Sequence, residues 1–170
     1  MEQEGSRKWR LEQLLRRQKS KQKISYGLLF DECIEALGVD VVILSEETSE
    51  RIRNELTIAY SFTPWGRIDW NYTVNKRNLR LEIDLMPALN SMNMDTGFPI
   101  YVIWGGDYPV LQTNLQKVLS ALDDVLAVDF DTFVYCPSNY VIEFYHEGEI
   151  TLGIERSDNF EYPRKHTKND

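Results

Sequence analysis

Residues 98–131, FPIYVIWGGDYPVLQTNLQKVLSALDDVLAVDFD, set out an element, its exit and its return within one stretch. Ile100, Tyr101, Val102, Ile103 and Trp104 form a β-branched and aromatic run, which predicts a strand buried on both faces. Gly105 and Gly106 end it. The Asp107 side chain can accept hydrogen bonds from free helical N–H groups, and Pro109 has the φ of a first helical turn, so a helix is expected to begin there. Leu111, Leu115, Val118, Leu119 and Leu122 then recur at helical spacing, with Gln112, Asn114, Gln116 and Lys117 on the other side. Asp123 and Asp124 interrupt that stripe and are expected to cap a further helical turn or the approach to the strand near Thr132.

Working outward, a first helix is expected where Leu28, Leu29, Cys33, Ile34 and Leu37 share a face ahead of Gly38. Val41 to Leu44 reads as a short strand or link. Ser45 is a natural N-cap for a second helix, which opens on Glu46 and Glu47 and runs to about Tyr60. Pro64 forbids its continuation. The segment 65–70, WGRIDW, reads as a strand or its beginning. Trp65 and Trp70 differ by an odd number, so a regular strand turns them to opposite faces. Either one faces out beside Asp69 as a binding anchor, or a bulge returns both to the core. Asn75 to Asn78 reads as a turn. Beyond it Leu79, Leu81, Ile83 and Leu85 alternate with Arg80, Glu82 and Asp84, predicting a half-covered strand hairpinned to WGRIDW and ended by Pro87.

Downstream, Thr132 to Cys136 and Tyr140 to Tyr145 read as strands joined by Pro137, Ser138 and Asn139. His146, Glu147 and Gly148 form a tight turn into Glu149 to Ile154. The expected fold is α+β, a mainly antiparallel sheet packed against amphipathic helices in a single domain. Its expected divisions are a basic N-terminal extension, helical or disordered, over 1–24, a globular body over 25–156, and a flexible tail over 157–170.

At 170 residues and 42% hydrophobic, the chain suits one core. No run approaches the roughly 18 apolar residues that span a bilayer, and the basic N-terminus leads into no apolar stretch, so a cytoplasmic protein is expected. Cys33 and Cys136 are too few for a disulfide scaffold and too far apart for a local metal knuckle; buried thiols are expected. Charge is uneven. Residues 1–23 carry eight Lys or Arg against three Glu, and the other 147 residues carry 11 basic and 24 acidic side chains, near −13. Such a surface keeps a protein soluble, repels nucleic acid and anionic lipid, and attracts basic proteins. Neither nucleic acid nor membrane is expected as a direct partner.

Asp123, Asp124, Asp129 and Asp131 place four carboxylates in nine residues, and alternating aspartates hold Mg²⁺ or Mn²⁺ beside phosphates in some enzymes. A divalent-metal-dependent enzyme is therefore the alternative reading. Against it, the chain has no GxxxxGK[ST] or GxGxxG, and no Lys or Arg lies between Lys117 and Arg156 to meet a phosphate. His146 and His166 belong to no HExxH or CxxC arrangement. Cys136 with His146 would need an activating environment that acidic neighbours oppose. Glu143 and Glu149 can face one another across a hairpin, but no leaving-group pocket is readable beside them. No catalytic set, metal or cofactor is expected. The candidate partner-binding residues are Asp107, Asp123, Asp124, Asp129 and Asp131, with Trp65, Asp69 and Trp70.

The stretches FDECIEALG (30–38), ILSEE (43–47), WGRIDW (65–70), YVIWGGDYP (101–109), LDDVLAVDFDTF (122–133) and YVIEFYHEGEITLGI (140–154) together resemble immunity proteins of bacterial contact-dependent growth inhibition and related polymorphic toxin systems. The resemblance covers roughly Tyr26 to Glu155, and residues 1–23 depart from it. It implies a small cytosolic non-enzyme that binds one cognate toxin domain, commonly a basic nuclease, and blocks its active site or substrate surface. No family motif assigns the contact residues.

Overall fold

The strands pair into one sheet, every neighbouring pair antiparallel. In the computed structural model, which describes residues 25–154, these are β1 (Val42–Ile43), β2 (Lys76–Leu79), β3 (Ile100–Trp104), β4 (Leu111–Thr113), β5 (Thr132–Cys136), β6 (Tyr140–Tyr145) and β7 (Glu149–Ile154), side by side in the order β1-β4-β3-β5-β6-β7-β2. The helices are α1 (Leu28–Leu37), α2 (Glu46–Ala59), α3 (Leu85–Ser91), α4 (Leu115–Ser120) and α5 (Leu122–Ala127), with 3₁₀ turns at Trp70–Tyr72 and Glu82–Asp84. The fold is α+β. The extension 1–24 and the tail 157–170 lie outside the described residues.

Both faces of the sheet are covered, which explains the near-continuous apolar runs of β3, β5 and β6. On one face Val102, Trp104, Val134, Ile142 and Leu152 pack with α1, α3, α4 and α5, and the Trp104 indole N–H donates to the carbonyl of Val125 at 3.0 Å. On the other face Ile103, Phe133, Tyr135 and Val141 meet Ile52 and Leu56 from α2 and Tyr60, which caps its end. Ser45 caps α2 as expected, accepting from the Thr48 N–H at 3.3 Å. Gly38, at φ 83°, follows α1, and Gly148, also at φ 83°, turns β6 into β7.

Four expectations fail. No helix begins at Asp107 or Pro109: residues 105–110 turn β3 into β4, and the helix starts one element later with Asn114, whose side chain accepts from Lys117 N at 2.9 Å. Leu111 and Thr113 are buried by pairing with β3, and Leu111 keeps helical spacing to Leu115 by coincidence. Leu79 to Leu85 is not a strand. Leu79 pairs with Ile150, and β7 begins at Glu149, so the chain runs out of partner, leaves Leu81 and Ile83 exposed, and winds into a 3₁₀ turn and α3. Pro87 falls in the first turn of α3, where its missing N–H costs nothing. WGRIDW forms no hairpin with that segment, contributing only the isolated bridge between Phe62 and Ile68, and the expected turn at Asn75 to Asn78 is largely β2.

Candidate partner-binding surface

The alternation of β6 sends Val141, Glu143 and Tyr145 to the same face, so Glu143 enters an apolar layer and is 1% exposed. A carboxylate there needs donors on both oxygens. Oε1 accepts from the backbone N–H of Ile68 at 2.9 Å, and Oε2 accepts from Arg67 Nε at 3.1 Å and from the Trp70 indole N–H at 2.6 Å. The Arg67 guanidinium also donates to Glu149 and lies 4.0 Å over the Tyr145 ring. Burial alone would lower the Arg67 pKa, but hydrogen bonds and charge from Glu149 and Glu143 outweigh it and raise it. Glu143 and Glu149 are thus joined through one cation.

This clamp fastens WGRIDW to β6 and β7. Trp70 is half-buried beneath the segment, while Trp65 points out, 73% exposed, beside Gly66 at φ 86°. Asp69 accepts from the backbone and side-chain nitrogens of Asn71 at 3.2 and 3.0 Å and starts the 3₁₀ turn. Trp65, Arg67, Asp69, Lys76 and Glu149 border a cleft of about 310 Å³.

From Arg67 the surface continues over the end of the sheet through ring contacts. Tyr145 and His146 have centroids 4.1 Å apart, and His146 meets Phe130 edge-on at 6.2 Å. Asp131 Oδ1 accepts from the backbone N–H of His146 at 3.2 Å and pairs with Nδ1 at 3.0 Å. Asp129 accepts from Phe130 N at 2.8 Å, and its other oxygen lies against Gly105, close enough that a Cβ there would sit 3.0 Å from it. Phe130, between the two aspartates, is 82% exposed.

Of the acids singled out in the sequence, Asp107, Asp129 and Asp131 gather at this end, joined by Glu147 in the β6–β7 turn. Asp107 also borders a second cleft, of about 470 Å³, with Tyr26, Glu46, Glu50 and Arg53. Asp123 and Asp124 do not join them: they occupy the first turn of α5, with no side-chain cap bond. Burial, with the charge of Asp124 adding to it, pushes the Cys33 thiol up to about 12. Among the described residues no three His, Cys, Asp or Glu side chains converge as a metal site. Cys136 is buried opposite Tyr140, while His146 lies six residues further along β6 and its turn, roughly 20 Å away at strand rise. The two make no catalytic pair.

Arg67, Phe130 and Tyr145 belong to this surface without having been singled out in the sequence, and His146 belongs to it although the sequence suggested it only as a partner for Cys136. The signal for Glu143 and its cation was present, since an acid in the inward phase of YVIEFY demands a partner; the exposure of Phe130 had no signal. The family model described as CdiI immunity protein EcoliA0-like matches residues 27–153. No curated protein matches the chain.

Proposed function

The chain belongs to the CdiI immunity protein family, and from that premise we propose that it neutralises a basic nuclease toxin domain by covering its active site or substrate surface with the acidic, aromatic end of the sheet. One observation carries the reading: the exposed Phe130 stands between Asp129 and Asp131 and against His146, and ring contacts lead from there through Tyr145 to Arg67, which borders one cleft with the exposed Trp65. Large aromatic anchors ringed by charge are the usual make-up of binding hot spots. Residues 25–154 carry seven Lys or Arg against 20 Asp or Glu. That excess steers a basic partner inward and offers it carboxylates where it expects phosphates.

In this reading the protein catalyses nothing and works by occupancy in the cytoplasm, where the nuclease finds its substrate. Among the described residues no helix is long and apolar enough to cross a membrane. The test pairs the purified protein with the toxin domain encoded beside it and follows both nuclease activity and binding. Phe130→Ala and Asp129→Lys should each weaken inhibition while leaving the melting curve in place. Unchanged inhibition by the double variant would move the interface away from this end of the sheet, and a toxin without nuclease activity would remove the substrate class.

A further inference from the structure

α2 turns Ile52 and Leu56 to the sheet and presents Glu47, Glu50, Arg51, Asn54, Glu55 and Ile58 on its other side. These side chains border a shallow hollow of about 550 Å³. Among the described residues every bordering side chain comes from α2, so the hollow has one wall and room for a second. Ile58 is 87% exposed, an apolar group one turn beyond Glu55 on a face that also carries Glu47 and Glu50 in earlier turns, with Arg51 as its one cation among the bordering residues. The occupant this face suits is at once apolar and basic.

We propose that the occupant is the chain's own segment 1–24. The segment carries eight Lys or Arg against three Glu, opposite in sign to the face. Leu11, Leu14 and Leu15 recur at helical spacing among those bases, with Trp9 beside them, supplying an apolar side. The described chain begins at Ser25, and Tyr26 borders the neighbouring cleft together with Glu46 and Glu50, so the segment joins the body beside the first turn of α2. Length permits the contact. Twenty-four residues reach about 36 Å if helical and about 80 Å if extended, against about 21 Å for the 14 residues of α2. A tether this short holds its end at roughly millimolar effective concentration, which favours it over a separate molecule. The contact places positive charge on α2 and leaves the Asp129–Phe130 end of the sheet acidic.

The test uses the full chain with Asn54→Cys carrying a nitroxide label, which leaves Ile58 in place; Cys33 and Cys136 are buried, so labelling is selective. Amide signals of residues 9–17 should lose intensity several-fold at low salt. The loss should persist on about tenfold dilution, shrink at about 0.5 M salt, and shrink with Arg16→Glu and Arg17→Glu. A second label at the exposed Thr57→Cys should give the same pattern. Amides 9–17 unaffected at low salt from both labels would overturn the proposal. Broadening that disappears on dilution would assign the face to a second copy and overturn it equally.

Discussion

Gly153 of β7 lies against the six-membered ring of the Trp70 indole: a methyl group at Gly153 would press into the ring at Cζ3 and sit 3.0 Å from Cη2. The missing side chain leaves room for Trp70 to come close enough to the sheet to donate to Glu143 at 2.6 Å.

Gly153→Ala should therefore cost about 1–3 kcal/mol by overpacking, with a changed near-ultraviolet tryptophan signal as the indole is displaced. Glu143→Ala should cost about 3 kcal/mol, because it leaves the Ile68 N–H and the indole N–H without an acceptor and Arg67 with Glu149 alone. Urea unfolding measures both. Wild-type midpoints in both variants would show that the clamp does not fasten the segment.

Binding to the toxin should begin with long-range attraction. The association rate should fall steeply as ionic strength rises, since the body is near −13. Asp129→Lys should lose about 1–3 kcal/mol of binding and Trp65→Ala a similar amount, while Asp124→Lys, set back on α5, should lose less. Stopped-flow kinetics across a salt series decides this, and a flat association rate would remove steering.

Cys33 and Cys136 should resist alkylation in the folded protein near neutral pH and react together in denaturant, both being buried. Because the folded Cys33 thiol is held up at about 12 against the ordinary 9.0, the unfolded chain gives up its proton first. The stability this represents is intact below pH 9.0 and lost as pH climbs toward about 12. Tyr140, also raised by burial, acts in the same direction. Melting temperature across the alkaline range, with Cys33→Ala as the comparison, should show a shallower decline in the variant.

What the sequence revealed depended on how completely each element is buried. β3, β5, β6 and β7 are covered on both faces or turned by a glycine, and their apolar runs announce them. β4 is three residues long and falls in phase with the helix after it, so a single stripe hid two elements. At Leu79 to Leu85 the alternation is real, but whether it becomes a strand was decided by where β7 begins. The surface was half legible for the same reason. Its aspartates are visible as composition, whereas Arg67 and Glu143 stand 76 positions apart and only the pairing of distant strands unites them.

β5, β6 and β7 follow one another through short turns, but β2 finds its place only against β7, Lys76 opposite Gly153. Closing so long a loop is slow compared with forming adjacent hairpins. During synthesis α1, β1, α2 and β2 therefore emerge well before the strand that completes the sheet. A chain stopped before Glu149 lacks both the partner of β2 and the second carboxylate on Arg67, so truncated products should be targets for proteolysis rather than partial inhibitors. Protection of the cell then waits on the last few residues of β7, and in the finished protein the amides of β2 should exchange with solvent sooner than those of β5.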